Sequence, residues 1–228
     1  MATTSTALLL GKTALFGSLP EADLVAVAGS MRKATFESGQ TIFTRGDAGS
    51  EIYLVVEGRV RLSVFSPDGR ALSFKHANAG DVFGEIAALD GGGRTADAIA
   101  LTPVEVMTLA QARLNALIET NPRVARAAIA FLCLRLRETS EQTEGIALHP
   151  IEVRLARFLL SRLKQRETGP EVPLDLGMSQ NELALLIGAS RQKVNAALAH
   201  LEEAGAVKRT GSRLVCNAVK LAQIAAPA

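Results

Sequence analysis

The sequence contains no tryptophan, and aromatic residues account for only 4% of its 228 residues, whereas 48% are hydrophobic. The core must therefore consist mainly of aliphatic side chains. Only two cysteines occur, Cys133 and Cys216, and without a C-x-x-C spacing they exclude a disulfide framework, a structural zinc site and a cysteine-ligated iron–sulfur cluster. Both are predicted to be core thiols.

Long apolar runs and a basic leading segment are absent too. No stretch of about 18 apolar residues occurs, and no basic residue precedes Ala7–Leu10, so we predict neither a membrane span nor a secretory signal and expect a cytoplasmic protein. The net charge of +2 is unevenly distributed: residues 1–146 hold 14 Lys and Arg against 16 Asp and Glu, and residues 147–228 hold 11 against 7. A basic C-terminal third is typical of a nucleic-acid-binding domain.

The region from Thr35 to about Leu109 consists of short apolar runs separated by glycines. Turn signals at intervals of about ten residues predict a roll of short antiparallel strands. The segment Ser66–Gly69 predicts a hairpin turn within the roll. Before the roll we predict a helix over about 20–31, with Ser18 as its N-cap and Glu21 completing a capping box.

A long helix is predicted over residues 122–146, because apolar positions recur there at alternating steps of three and four. They form a seam that turns polar towards its end: Ala125, Ile129, Leu132, Leu136, Thr139, Thr143 and Ile146. Such a seam predicts pairing with another helix and hence a homodimer. The alternative is that the seam packs on the chain's own β-roll, although Phe131 and Leu134 form a second apolar stripe that can do so.

After this helix, Pro150 is expected to begin another one, with Arg154 and Arg157 solvated, and residues 169–173 interrupt the helical pattern. A helix-turn-helix is then predicted, in which Ser179 and Ser190 cap the two helices and Gly188 allows the turn. Leu183, Ile187, Val194, Leu198 and Leu201 lie at spacings that face inward.

The second of these helices is expected to enter the major groove of DNA, where Arg191, Gln192 and Asn195 can recognise base edges. The following hairpin is typical of a wing, with Lys208, Arg209 and Arg213 directed at phosphates. The alternative is a two-helix packing unit with a solvated basic face. The candidate DNA contacts are Ser179, Gln180, Ser190, Arg191, Gln192, Lys193, Asn195, Lys208 and Arg209.

A second motif runs from Phe83 to Ala96. Gly84 allows close backbone approach, a short helix starting near Glu85 would direct free N–H groups at an anion, and Arg94 can neutralise that anion. A carboxylate beside an anion site is suited to a ligand hydroxyl, so the pattern predicts a sugar phosphate. A surface loop with a Glu–Arg pair is the alternative.

The sequences Phe83-Gly84-Glu85 and Arg94-Thr95-Ala96, together with Ser190-Arg191, resemble the CRP/FNR family of bacterial transcription regulators. The resemblance implies an α+β chain with a cyclic-nucleotide-binding β-roll over residues 1–110, a dimerisation helix over 111–146 and a winged helix-turn-helix over 147–228. It implies that Gly84, Arg94 and Thr95 hold the cyclic phosphate, that Glu85 binds the ribose hydroxyl, and that Ile86 and Ala87 contribute backbone. Thr139 and Ser140 match the adenine-binding pair of the cyclic-AMP-responsive members.

The implied function is a homodimeric, non-enzymatic regulator that binds cyclic AMP as an allosteric ligand and a palindromic double-stranded DNA site, with RNA polymerase as a partner. No metal or haem is expected, because His76, His149 and His200 are scattered and interpreted as solvated or turn residues. The best-studied members have a glutamate and a second arginine in this helix, where the present chain has Gln192 and Ala196. We therefore predict that its DNA half-site differs from theirs. The alternatives are DNA binding without ligand, or a response to cyclic GMP or cyclic di-GMP.

Overall fold

A computed structural model describes residues 2–65, 71–163, 171–211 and 213–226 of the chain. The chain forms two compact units, Met1–Arg137 and Glu138–Ala228, and the division falls inside one long helix. The predicted three-part division at residues 110 and 146 stays a prediction. Among the described residues, none of the helices is both long and apolar enough to cross a bilayer.

The first unit begins with two helices, α1 (Ala2–Leu10) and α2 (Glu21–Gly29). In the described part of the unit, eight strands follow: β1 (Arg32–Phe36), β2 (Thr41–Phe43), β3 (Glu51–Glu57), β4 (Arg59–Phe65), β5 (Ala71–Asn78), β6 (Val82–Phe83), β7 (Asp97–Ala100) and β8 (Val104–Ala110). Helix α3 (Glu85–Asp90) lies between β6 and β7, and β8 is followed by α4 (Gln111–Thr120) and the first part of α5 (Pro122–Leu148).

The strands form two four-stranded antiparallel sheets, in the orders β1-β8-β3-β6 and β2-β7-β4-β5, as the β-roll prediction requires. Aliphatic side chains from both sheets fill the interior, including Leu54, Val60 and Val106. His76 lies buried on β5, so its interpretation as a solvated or turn residue is wrong. The predicted turn at Ser66–Gly69 lies outside the described residues.

The predicted capping box at the start of α2 is wrong. Pro20 is the N-cap, and no side chain caps this helix. The backbone N–H groups of Asp23 and Leu24 both donate to the Pro20 carbonyl at 3.0 Å. The helix thus begins directly after the proline, two residues later than a cap at Ser18 requires.

The long helix predicted over 122–146 is confirmed as α5. One face is buried in the first unit through Val124, Ala127, Ala128 and Phe131. The seam side chains Ile129 and Leu136 are 62% and 68% exposed, so they do not pack on the chain's own roll. Leu134 is also exposed, and Cys133 is an exposed thiol instead of the predicted core one.

The second unit contains the end of α5, then α6 (Ile151–Leu163), β9 (Val172–Leu174), α7 (Gln180–Ile187), α8 (Arg191–Glu203), β10 (Val207–Thr210), β11 (Arg213–Cys216) and α9 (Ala218–Ala225). The strands form a three-stranded antiparallel sheet in the order β10-β11-β9. Pro173, predicted to lie in an interruption, sits on the edge strand β9, where the missing N–H is tolerated. Cys216 is buried, and burial raises the pKa of its thiol to about 11.

Two arginines of α6 are partly buried and bonded to other helices, whereas the sequence predicted them to be solvated. Arg154 Nη1 donates to the Ile187 carbonyl at 2.7 Å, and Arg157 Nε donates to the Ala225 carbonyl at 3.1 Å. Both acceptors are the last residues of helices, where carbonyls lack an intrahelical donor. The arginines therefore hold the ends of α7 and α9 against α6.

Candidate functional site

Gly84 joins strand β6 to helix α3, and its backbone has φ = 75°, in the left-handed region that favours glycine. A Cβ atom there would lie 2.7 Å from Arg94 Nη1 and 3.2 Å from Tyr53 Cδ2. Both the conformation and the available space therefore require glycine. The short helix expected near Glu85 is confirmed as α3.

Arg94 is almost completely buried beneath this turn, with 5% of its surface exposed. Its Nη1 donates to the carbonyls of Gly84 and Glu51, at 2.8 and 2.9 Å, and its guanidinium lies 4.3 Å from the centre of the Phe43 ring. Burial lowers the pKa of Arg94 from its ordinary value. These two bonds use only the Nη1 N–H groups of a guanidinium that has five N–H groups, so the cation retains N–H donors for an anion.

Glu85 is also buried, at 6% exposure, and burial raises the pKa of its carboxyl group. The cation facing it is Arg135 of α5, with 3.6 Å between Arg135 Nε and Glu85 Oε1. Arg135 Nη2 also donates to the Val82 carbonyl at 3.0 Å, which fixes the middle of α5 to the strand before Gly84. The sequence analysis did not identify Arg135 as a site residue. The signal that could have indicated it is its position one helical turn before Thr139, a predicted ligand contact.

The loop from Gly91 to Thr95 is held by backbone hydrogen bonds. The Arg94 N–H donates to the Asp47 carbonyl, and the Gly46 N–H donates to the Arg94 carbonyl, both at 2.8 Å. Thr95 is exposed at the end of this loop. On α3, Ile86 is 38% exposed and Ala87 is buried.

The structure thus brings Gly84, Glu85, Ile86, Ala87, Arg94 and Thr95 together within the first unit, around a buried carboxylate and a buried guanidinium. Thr139 and Ser140 belong to the second unit and lie exposed on α5. The Thr139 carbonyl accepts a hydrogen bond from Thr143 Oγ1 at 2.8 Å, inside the helix.

The helix-turn-helix has the predicted caps. Ser179 Oγ accepts from the Glu182 N–H at 3.2 Å, and Glu182 Oε2 accepts from the Ser179 N–H at 2.8 Å, a complete capping box. Gly188 ends α7 with φ = 69°, and Ser190 Oγ accepts from the Lys193 N–H at 3.3 Å at the start of α8. The five side chains predicted to face inward are all buried.

The first turn of α8 presents Arg191, Gln192 and Lys193 to solvent. Arg191 Nε donates to Gln180 Oε1 at 3.4 Å, which links the two helices at the exposed surface. Asn195 is only half-exposed, and its Oδ1 is buried without a hydrogen-bond partner in the described chain. The readily accessible groups are therefore those of residues 191–193.

In the hairpin of β10 and β11, Lys208 is exposed, whereas Arg209 is held by Glu202 of α8. Glu202 accepts from the Arg209 backbone N–H at 2.8 Å and from its Nε at 2.7 Å. These hydrogen bonds raise the pKa of Arg209 and lower the pKa of Glu202. The Arg209 charge is thus partly compensated inside the protein.

Two family models match the chain: the cyclic nucleotide-binding domain over residues 33–121 and the Crp-like helix-turn-helix domain over residues 153–224. The chain is 33% identical over 194 residues to the cyclic AMP receptor protein of Thermus thermophilus, which covers 85% of this chain and 88% of that one. It is 28% identical over 219 residues to a CRP-like cAMP-activated global transcriptional regulator of Mycobacterium tuberculosis, covering 94% and 97%.

Among solved structures, the c-di-GMP-responsive global regulator CLP of Xanthomonas campestris superposes with a TM-score of 0.74 at 22% identity, over 87% of this chain and 99% of that one, and so shares the fold. The two domain matches and the identity to the Thermus protein establish the family. The chain belongs to the CRP/FNR family of cyclic-nucleotide-binding transcription regulators, with a β-roll, a long helix and a DNA-binding helix-turn-helix.

Proposed function

We propose that this protein is a homodimeric transcription regulator, active in the cytoplasm, whose DNA binding is controlled by cyclic AMP. The observation that supports the ligand is the burial of Arg94 and Glu85 on either side of Gly84. A guanidinium with unused N–H groups can donate hydrogen bonds to a cyclic phosphate, and a buried carboxylate can accept one from a ribose hydroxyl. Two relatives with cyclic AMP in their names favour that nucleotide.

Each candidate ligand residue has a role in this proposal. Gly84 and Arg94 bind the phosphate together with Thr95, Glu85 binds the ribose, and the backbone of Ile86 and Ala87 lines the site. Arg135 adds a cation beside Glu85. Thr139 and Ser140 contact adenine in the ligand-bound dimer, since their exposed hydroxyl side chains lie on the helix that carries the seam.

The dimer forms through residues 122–146. Exposed Ile129 and Leu136 support this, since aliphatic side chains repeated along one helix face lose water when two helices pair. Two reading helices related by a two-fold axis would occupy successive major grooves of a palindromic site, about 34 Å apart. The bound regulator would then contact RNA polymerase.

The DNA contacts follow from the same geometry. Arg191 and Gln192 recognise bases with Asn195 behind them, while Lys193 and the capped helix ends at Ser179 and Ser190 lie near phosphates with Gln180. Lys208 and Arg209 approach the backbone from the wing.

The experiment is calorimetric titration of cyclic AMP, cyclic GMP and cyclic di-GMP into the purified full chain, followed by fluorescence anisotropy with labelled DNA selected from a random pool. Saturable binding of cyclic AMP that tightens DNA binding supports the proposal. Preferential binding of cyclic di-GMP, favoured by the fold neighbour from Xanthomonas, or tight specific DNA binding unchanged by all three nucleotides, would overturn it.

A paired variant tests the adenine contact. Thr139→Val with Ser140→Ala should weaken binding of cyclic AMP by about ten-fold or more and narrow its preference over cyclic GMP. Thr120→Val is the matched control, because that hydroxyl also lies on a helix and bonds only to carbonyls of α4 among the described residues. If the double variant weakened binding of cyclic AMP and cyclic GMP by the same factor, Thr139 and Ser140 would have no role in base recognition.

A further inference from the structure

A cavity of about 330 Å³ lies within the second unit, between the end of α5, the middle of α6 and the end of α7. None of the candidate nucleotide or DNA contacts lines it. Its volume is near the lower end of the range for small-molecule sites, about 300–1,000 Å³, so one small compound would fill it.

One wall of the cavity is basic. Arg154 donates through Nη1 to the Ile187 carbonyl, but its Nε is buried without a hydrogen-bond partner among the described residues. Burial also lowers the pKa of Arg154, with Glu152 the acidic group that opposes this shift. Arg154 is thus a partly buried cation, and its guanidinium has more N–H groups than the Ile187 carbonyl uses, so an anion is bound there at a reduced desolvation cost.

Arg157 extends this wall. It follows Arg154 by three residues, so both side chains lie on the same face of α6. Arg157 donates one N–H group to the Ala225 carbonyl, and a guanidinium has five. The two arginines can thus offer a carboxylate the paired donors that it prefers.

The acidic part of the lining comes from a different helix, α5. Glu141 and Glu144 line the cavity, and Glu144 Oε1 lies 3.8 Å from Nε2 of the His149 ring. Within the described ranges, neither glutamate forms an ion pair with Arg154 or Arg157. The positive and negative walls are therefore separate, and the apolar side chains of Phe158 and Leu186 lie in the same lining.

We propose that this cavity binds a small zwitterion, namely an α-amino acid with an apolar side chain. Its carboxylate would bind Arg154 and Arg157, its ammonium group would face Glu141, and its side chain would contact Phe158 and Leu186. A simple anion would satisfy the arginines alone, whereas a zwitterion satisfies both walls.

Such a ligand is coupled to the DNA-binding motif through Arg154. Ile187 is the last residue of α7 and immediately precedes the turn at Gly188. Arg154 holds the Ile187 carbonyl through Nη1 alone, so a carboxylate that binds its other N–H groups draws the guanidinium towards the ligand and loosens the turn that orients α8. The amino acid should therefore weaken DNA binding, and DNA should weaken amino-acid binding by the same factor. This coupling rests on the proposed DNA-binding function, whereas binding in the cavity does not.

The test is titration of L-leucine and L-phenylalanine into the full chain, by calorimetry and by ligand-observed NMR up to millimolar concentration. Two probes each carry half of the zwitterion: 4-methylpentanoate lacks the amino group of leucine, and 3-methylbutylamine lacks the carboxylate. We expect saturable binding of at least one amino acid and at least about ten-fold weaker binding of both probes. Absence of signal with both amino acids in both measurements, or equal binding of 4-methylpentanoate and leucine, would overturn the proposal.

Variants locate the site. Glu141→Gln should weaken amino-acid binding about ten-fold without changing thermal unfolding, because Glu141 is exposed. Glu171→Gln is the matched control, an exposed glutamate of the same unit outside the cavity. Arg157→Lys keeps the charge but removes the planar pair of N–H donors of the guanidinium, so it should weaken carboxylate binding. Cyclic AMP titration of Arg157→Lys should be unchanged, because Arg157 is not a nucleotide contact, so failure here is distinguishable from failure of the nucleotide proposal. Equal binding by Glu141→Gln and the unaltered chain would refute the site.

Discussion

Arg94 and Gly84 are joined by a hydrogen bond of 2.8 Å from the arginine Nη1 to the glycine carbonyl, across ten residues of sequence. The same nitrogen bonds to the Glu51 carbonyl, so the guanidinium links strand β3, the turn before α3 and the loop that follows α3. The arginine expected to bind phosphate is thus also part of the folded framework. The role in the framework follows from its burial, which the motif alone did not reveal.

Replacing this arginine should therefore affect binding and stability together. Arg94→Ala removes the donor to two carbonyls and the cation on the Phe43 ring. We expect loss of detectable cyclic-nucleotide binding by calorimetry and a decrease of about 1–3 kcal/mol in the free energy of unfolding measured with urea. The exposed Arg113→Ala is the control and should change neither. Normal nucleotide binding by the Arg94 variant would contradict its assignment.

The elements that the sequence predicted correctly are those with local signals. Ser179 and Glu182 are three residues apart, and Gly188 is the residue with positive φ between two helical patterns. The glycine spacing of the roll is similarly local, because each turn is decided by a few neighbouring residues. Ser18 shows that such local signals can fail, because Pro20, two residues later, is the N-cap of α2.

The interactions that the sequence did not predict join distant residues. Glu85 meets Arg135 across 50 positions, and Arg154 meets the carbonyl of Ile187 across 33. Neither partner is identifiable from periodicity, since both arginines occupy positions that a helical pattern assigns to solvent. Burial of such charges depends on how elements pack, which local propensity does not specify.

The buried carboxyl of Glu85 should make stability depend on pH. Its pKa in the folded state is raised above the ordinary value of 4.5, so the folded protein binds this proton more tightly than the unfolded chain does. That contribution to stability is fully present below pH 4.5 and is lost as pH rises through the raised pKa. The side chain of Glu85→Gln cannot ionise, so this variant does not lose stability in that way as pH rises. We therefore expect this variant to be more stable than the unaltered protein at neutral pH, with the difference closing as pH falls towards 4.5.

Urea unfolding of both proteins over a series of pH values measures this difference. Glu105→Gln is the control, because Glu105 pairs with Lys33 on the surface and its removal should give little pH dependence. Lower stability of Glu85→Gln at neutral pH would mean that attraction to Arg135 outweighs the cost of burial. Nucleotide binding by Glu85→Gln should be weakened in either case, since its amide cannot replace a charged acceptor.

Arg191 and Lys208 should differ in what they contribute to DNA binding. Arg191 is exposed at the start of α8, so Arg191→Ala should cost about 1–3 kcal/mol on the selected site and much less on unrelated DNA. Lys208→Ala should weaken binding to both by similar factors, as expected for a phosphate contact. Fluorescence anisotropy on the two DNA sequences distinguishes them. Equal losses for Arg191→Ala on both sequences would contradict base recognition.

The ion pair between Glu202 and Arg209 predicts that DNA affinity is restrained by the protein itself. Glu202→Gln retains an acceptor for the Arg209 backbone N–H but removes the charge that neutralises its guanidinium. The released arginine can then replace a counterion on the DNA. Binding should tighten, and the plot of log affinity against log salt concentration should become steeper by about one unit. Glu203→Gln changes the net charge equally but leaves the pair intact, so its slope should change less. If the two variants behave alike, only net charge matters, and Arg209 is not held back from DNA by Glu202.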